Sequence, residues 1–143
     1  MTRALVVDDD ETIRDTLYEL LSDHYICQTA ETAEKAIARL QVDTYDVVLT
    51  DISMPGLSGL ELLGQVRQRF PQTPVIVISG ISDKEHAHGL IRLGAFEYLL
   101  KPFSLDEVEK SVKRALDYRR QLIEQSAEET SSEGDTSDWK IVT

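Results

Sequence analysis

The sequence is poor in several things, and each shortage narrows what the chain does. There is one cysteine, Cys27, in 143 residues. A disulfide framework within the chain is therefore excluded, and so is any zinc site built on a cysteine pair. No run approaches the roughly 20 apolar residues that span a bilayer. Only Met1, Thr2 and Arg3 precede the strand-like Ala4-Leu5-Val6-Val7, so the expectation is a cytoplasmic protein without a leader or membrane contact. Basic residues are outnumbered, 15 against 26 acids, for a net charge of −11. Nucleic-acid binding needs a basic face, so direct binding of DNA or RNA by this chain is not expected. Aromatic residues make up 6%, and no internal repeat is visible.

What is present is a globular composition. Apolar residues make up 41%, enough for one core, and the length fits one domain. Short apolar runs alternate with helical periodicity. Ala4–Val7 reads as a strand, then Ile13, Leu17, Leu20 and Leu21 mark one helix face. Tyr25–Thr29 is a second strand, followed by a helix carrying Ala33, Ala36, Ile37 and Leu40. Asp46–Thr50 is the third strand. Ser58 with Glu61 forms a capping box, and Leu62, Leu63, Val66 and Phe70 lie on one face. Val75–Ile78 has no polar alternation, as expected of a strand covered on both faces. Ser82 with Glu85 opens a helix over 82–93 that contains Gly89 and ends at Gly94, a residue suited to a left-handed cap. Phe96–Leu100 is the fifth strand. Ser104 with Glu107 caps the last helix, with Phe103 and Val108 placed to form a hydrophobic staple.

Five β-α units in succession predict an α/β fold, a parallel sheet with helices on both faces and right-handed crossovers. Beyond Gln125 the composition changes. Residues 126–143 carry five acids against one lysine, a net of −4, which leaves −7 for the rest. With little apolar surface before Trp139, this stretch is expected to be a flexible acidic tail or the start of a linker, so the chain divides into a domain of 1–125 and a tail of 126–143.

The functional signal lies at the strand ends. In a parallel sheet all of these face one edge, where open α/β sheets bind ligands. Strand one ends in Asp8 and Asp9, strand three in Asp51, strand four in Ser79 and strand five in Lys101. Three carboxylates that close need a compensating charge. Mg²⁺ supplies it, because it takes oxygen ligands and keeps waters and phosphate oxygens. Asp8, Asp9 and Asp51 are the candidate ligands, with the Ser53 backbone carbonyl. Phosphoryl transfer gives each group a role: Asp51 as nucleophile and acceptor, Lys101 balancing charge, and the Ser79 hydroxyl donating to a phosphate oxygen. Each residue alone has a plainer reading. Asp8 to Glu11 suit a helix N-terminus, Asp51 a turn, and Lys101 the solvent.

Together these residues resemble the response-regulator receiver domain of two-component signalling. The resemblance rests on Val6-Val7-Asp8-Asp9-Asp10, Thr50-Asp51-Ile52-Ser53-Met54-Pro55-Gly56, Ile76-Val77-Ile78-Ser79-Gly80 and Tyr98-Leu99-Leu100-Lys101-Pro102-Phe103, within residues 3–123. It implies a flavodoxin-like (βα)5 doubly wound five-stranded parallel sheet of order 2-1-3-4-5, and a cis Lys101-Pro102 bond. It further implies that Asp51 is phosphorylated with Mg²⁺ by a sensor histidine kinase or phosphotransfer protein. Ser79 and Tyr98 would then switch the helix 4–strand 5–helix 5 surface toward an effector protein, a fused output domain or a homodimer partner. Such a chain catalyses only its own phosphorylation and dephosphorylation. Gly80 stands where receivers usually have Ala. Ser53 and Ile81 lie at the positions that tune dephosphorylation, and apolar Ile81 implies slow loss of the phosphoryl group.

Two other functions fit less well. An Mg²⁺-dependent aspartyl-phosphate phosphatase places a second Asp two residues after the nucleophile, where this chain has Ser53. A degenerate receiver acting as a phosphorylation-independent interaction module would not keep every pocket residue. A flavin module is disfavoured by the acidic loop after strand one. His24, His86 and His88 read as surface residues and Cys27 as core. The run Lys110, Lys113, Arg114, Arg119 and Arg120 reads as a solvated face, or as part of a dimer contact.

Overall fold

A computed structural model of the chain describes residues 1–52, 58–80 and 84–142, with backbone alone for 84–87 and 128–142. The elements are β1 (Arg3–Val7), α1 (Glu11–Ser22), β2 (Ile26–Ala30), α2 (Ala33–Val42), β3 (Val47–Asp51), α3 (Gly59–Arg69), β4 (Val75–Ser79), α4 (Lys84–Arg92), β5 (Glu97–Leu100) and α5 (Leu105–Val142). The strands form one sheet of order β2-β1-β3-β4-β5, parallel at every pairing. The alternation of strands and helices predicts the parallel sheet, and the order is the flavodoxin-like one that the receiver resemblance implies.

The central strands explain the topology. All five positions of β3 and of β4 are buried. Successive side chains point to opposite faces, so such strands need cover on both. Leu5, Val7, Val48, Val75 and Val77 face one side and pack with Ala36, Leu40, Leu62, Leu63, Val66 and Leu90 of α2, α3 and α4. Ala4, Val6, Val47, Leu49, Ile76 and Ile78 face the other and pack with Leu17, Leu21, Val108, Val112 and Ala115 of α1 and α5. Cys27 lies in the second core, and burial pushes its thiol up to about 12.

Side chains fix where the helices begin. Asp10 caps α1, accepting from the backbone N–H groups of Thr12 at 2.9 Å and Ile13 at 3.3 Å. Thr32 accepts from Lys35 N–H at 3.1 Å, Ser58 from Glu61 N–H at 3.2 Å, and Ser104 from Glu107 N–H at 3.1 Å. Phe103 and Val108 share the second core, as the staple requires. The Ser82 cap lies outside the described residues. Gly94 adopts a φ of +107°, in the left-handed region, and an added Cβ would stand 2.7 Å from Arg67 Nε. The Lys101-Pro102 bond is cis.

Helix α5 is a long element, Leu105–Val142. Its backbone stays helical to Val142, well past the change in composition at Gln125. Elongation adds one hydrogen bond for each residue fixed, so a helix nucleated on the core extends without an apolar face of its own. Gln125, Ala127, Glu128 and Glu129 favour helix once it has begun. Among the described residues, no helix is long and apolar enough to cross a membrane.

Candidate functional site

The site is built where β1, β3 and β4 stop. Asp8 follows β1 directly and is 1% exposed. Three contacts hold it there. Its N–H donates to Ala30 O at 3.2 Å, its Oδ1 accepts Asp10 N–H at 2.9 Å, and its carbonyl accepts Arg14 Nη1–H at 2.9 Å. Asp51 is the last residue of β3 and 6% exposed, and Ser79 is the last of β4 and 1% exposed. Lys101 follows β5, and its N–H donates to Ser79 O at 2.8 Å, which ties the ends of β4 and β5 together.

The charges converge. Lys101 Nζ stands 3.5 Å from Asp8 Oδ2 and 3.5 Å from Asp51 Oδ2. Carboxylate oxygens of Asp8, Asp9 and Asp51 lie within 4.8 Å of one another. Burial raises the Asp8 carboxyl above its ordinary range, and the nearby Asp51 charge adds to the rise. The Asp10 N–H and the Lys101 ammonium oppose it. One ammonium against three carboxylates leaves an excess of negative charge in a crevice mostly closed to water. That is the donor set of a hard divalent cation, oxygen only, with carboxylates from two strand ends. Asp9, which is exposed, gives the site an open side toward solvent. The residues present therefore fit Mg²⁺.

The structure brings together Asp8, Asp9, Asp51 and Lys101, with Ser79 at the adjacent strand end. Tyr98 pairs in register with Val77 and is half-buried against the first core. Ser53 and Ile81 lie outside the described residues. His24 and His88 are exposed, and the side chain of His86 is outside the description.

Two contributors to the site carry no obvious sequence signal. Arg14 reads as a polar residue of an amphipathic helix, yet it holds the Asp8 backbone. Gly59 opens α3 under the end of β3, where a Cβ would stand 2.0 Å from Asp51 O and 2.7 Å from Ile52 Cα. A glycine just after the Ser58 cap was its only mark.

The basic run on α5 is not one solvated face. Arg114 donates to the Glu97 carboxylate through Nε at 2.5 Å and Nη2 at 2.8 Å, and Ser111 Oγ donates to it at 2.6 Å. Arg119 is 13% exposed and is anchored to Asp46. Lys110 and Arg120 make exposed pairs with Asp106 and Asp117 on their own helix.

Comparison with known proteins agrees with this geometry. A family model described as the response regulator receiver domain matches residues 4–113. The DNA-binding transcriptional regulator NtrC of Salmonella typhimurium is 44% identical over 114 residues, 79% of this chain and 24% of that protein. The hydrogenase transcriptional regulatory protein HoxA of Cupriavidus necator is 38% identical over 114 residues, again 79% of this chain and 24% of that protein. The chain thus spans about a quarter of the length of these relatives. Among solved structures, NtrX from Brucella abortus superposes with a TM-score of 0.82 at 36% identity, over 89% of this chain and 29% of that one. The response regulator TrrA from Thermotoga maritima, solved in complex with Mg²⁺ and BeF, superposes with a TM-score of 0.73 at 38% identity, over 81% of this chain and all of that one. The chain belongs to the response regulator receiver domain family, and its receiver is of the kind found in NtrC-like regulators.

Proposed function

We propose that this chain is a phosphoacceptor switch, taking a phosphoryl group on Asp51 from the phosphohistidine of a sensor histidine kinase or phosphotransfer protein. The observation that carries this reading is the single ammonium of Lys101, 3.5 Å from both Asp8 and Asp51 at the edge where the strands end. A carboxylate oxygen of Asp51 attacks phosphorus. The phosphorus–nitrogen bond of the donor breaks, and the imidazole leaves with its electron pair and takes up a proton. Asp8, Asp9 and Asp51, with the Ser53 carbonyl, would hold Mg²⁺, which would supply positive charge for the phosphoryl oxygens. Lys101 balances the charge that remains, and positioning plus charge balance is most of what phosphoryl transfer needs. The complex of TrrA with Mg²⁺ and BeF supports a shared chemistry, since that protein is similar over its whole length.

The proposed switch uses Ser79 and Tyr98. Ser79 Oγ turns to a phosphoryl oxygen, and Tyr98 moves inward against β4. This changes the surface of α4, β5 and α5, which an effector, an output domain or a second receiver reads. The receiver body is residues 1–125, and 126–143 begin the connection to whatever follows. The chain acts in the cytoplasm, and its acidity argues against contact with nucleic acid. Ile81 slows loss of the phosphoryl group.

The test is a small phosphodonor with Mg²⁺, read by intact mass. Wild type gains one phosphoryl group, and Asp51→Asn gains none. An equal gain on Asp51→Asn, or no gain on wild type, overturns the assignment.

A further inference from the structure

Strand β5 has two faces, and the switch residue Tyr98 occupies only one. Tyr98 packs against the first core, the side that α4 covers. Successive strand residues point to opposite faces, so Glu97 and Leu99 turn toward α5. Leu99 packs into the second core with Val108 and Val112. Glu97 makes a contact of another kind. Its carboxylate accepts from Arg114 Nε at 2.5 Å and Nη2 at 2.8 Å, and from Ser111 Oγ at 2.6 Å. Ser111 is fully buried. It stands three residues before Arg114, so the carboxylate grips neighbouring turns on one face of the helix.

The two kinds of contact differ in what they transmit. Apolar packing is non-directional, and a helix can slide over it. A two-pronged guanidinium–carboxylate pair fixes distance and angle together. With Ser111 as a third point, α5 is held to β5 in one register. The far end of β5 is tied to the site, because Lys101 N–H donates to Ser79 O at 2.8 Å. One short strand, Glu97–Leu100, thus lies between the residues of the site and the grip on α5. Glu97 takes no part in the phosphoryl chemistry, which uses Asp8, Asp9, Asp51 and Lys101.

We propose that Glu97 is a positioning residue that carries the state of Asp51 from β5 to α5, an inference that rests on the phosphoacceptor reading. As Ser79 and Tyr98 respond to the phosphoryl group, β5 shifts with them, and Glu97 moves α5 through Ser111 and Arg114. Uptake of the phosphoryl group does not depend on this grip, whereas the response of α5 does.

Hydrogen exchange of the α5 amides and the ring resonances of Tyr98, measured on the full chain with and without beryllofluoride and Mg²⁺, test this. In wild type the Tyr98 resonances shift and exchange across 108–120 changes by about fivefold or more. In Glu97→Ala the Tyr98 shift persists, as does the mass gain with a small phosphodonor, which also shows that the variant folds. Its α5 response falls below about twofold. Arg114→Ala, at a half-exposed side chain, gives the same loss, and the double variant loses no more than either single one. Arg120→Ala, whose pair with Asp117 lies within α5, responds like wild type. An α5 response in Glu97→Ala and Arg114→Ala equal to that of wild type overturns the proposal. So does a wild type in which Tyr98 shifts and α5 does not. Loss of the Tyr98 shift together with the α5 response in both variants marks Glu97 as merely structural and overturns it as well. A wild type that gains no phosphoryl group and shows no Tyr98 shift refutes the phosphoacceptor reading itself, so the two failures are distinguishable.

Discussion

Gly59 supplies a sharp test of how the site is built. It is the first residue of α3 and its N–H donates to Ile52 O at 3.2 Å, just beyond the strand that ends in Asp51. A Cβ there would lie 2.0 Å from Asp51 O, 2.7 Å from Ile52 Cα and 2.9 Å from Asp51 C. All three are backbone atoms, so no side chain can rotate away. To reach an ordinary contact, helix and strand end must separate by more than an ångström. Overpacking of this kind costs about 1–3 kcal/mol, and weakening the Gly59 to Ile52 hydrogen bond costs about 1 more. Alanine's better helix propensity returns at most about 1 kcal/mol. Gly59→Ala is therefore expected to destabilise the chain by about 1–3 kcal/mol, a sizeable part of the roughly 5–15 kcal/mol a domain possesses.

Gly64 is the control in the same helix, since a Cβ there meets nothing within 4 Å. Gly64→Ala should stabilise by about 0.5–1 kcal/mol from propensity alone. Urea unfolding of both variants gives the signs directly, with an unchanged m-value confirming that stability alone has moved. The strain falls on the peptide that carries Asp51, so Gly59→Ala should also slow phosphoryl uptake while Gly64→Ala does not. A Gly59→Ala midpoint equal to wild type would refute the close approach and with it the account of how α3 sets Asp51.

The remaining predictions concern charge. Glu97 accepts from Arg114 and Ser111, and the Arg114 contact first, with Ser111 behind it, holds its carboxyl below the ordinary 4.5 against the opposing effect of burial. Its stabilisation is thus present above the unfolded value and lost as pH falls through the lower folded one. Glu97→Gln should cost about 1–2 kcal/mol at neutral pH, and the gap to wild type should close in acid urea titrations. Asp8 is the opposite case, raised above 3.8 by burial first and by Asp51 second. Its contribution favours the fold below the unfolded value and is lost as pH rises through the folded one. With a chelator at neutral pH, Asp8→Asn should melt higher than wild type, an advantage that shrinks in acid. Added Mg²⁺ should raise the melting temperature of wild type and leave Asp8→Asn unmoved. A variant less stable than wild type in chelator would contradict the electrostatic account.

How much of this could be read from the sequence depends on the range over which each feature is encoded. Asp8, Asp51, Ser79 and Lys101 were legible because each terminates a local apolar run, and a parallel sheet sends every such end to one edge. The uninterrupted Val75–Ile78 run announced a strand covered on both faces, and β4 is buried throughout. Gly94 announced a left-handed cap for the same local reason. The features that escaped depend on what lies opposite in space. Arg119 belongs to a charge run that looks solvated, and only the packing of α5 brings it to Asp46, 73 positions earlier. Glu97 reads as a strand residue of no special kind until Ser111 and Arg114 arrive from the next helix. Gly59 looks like an ordinary loop glycine until the end of β3 is laid against it. Local pattern thus places the strand-end groups, whereas their supports are partners that only the completed packing supplies. The supporting residues are accordingly where substitution should test the structure hardest: replacing Arg14, which holds the Asp8 carbonyl, disturbs the site without removing any of the carboxylates or the Lys101 ammonium that converge there.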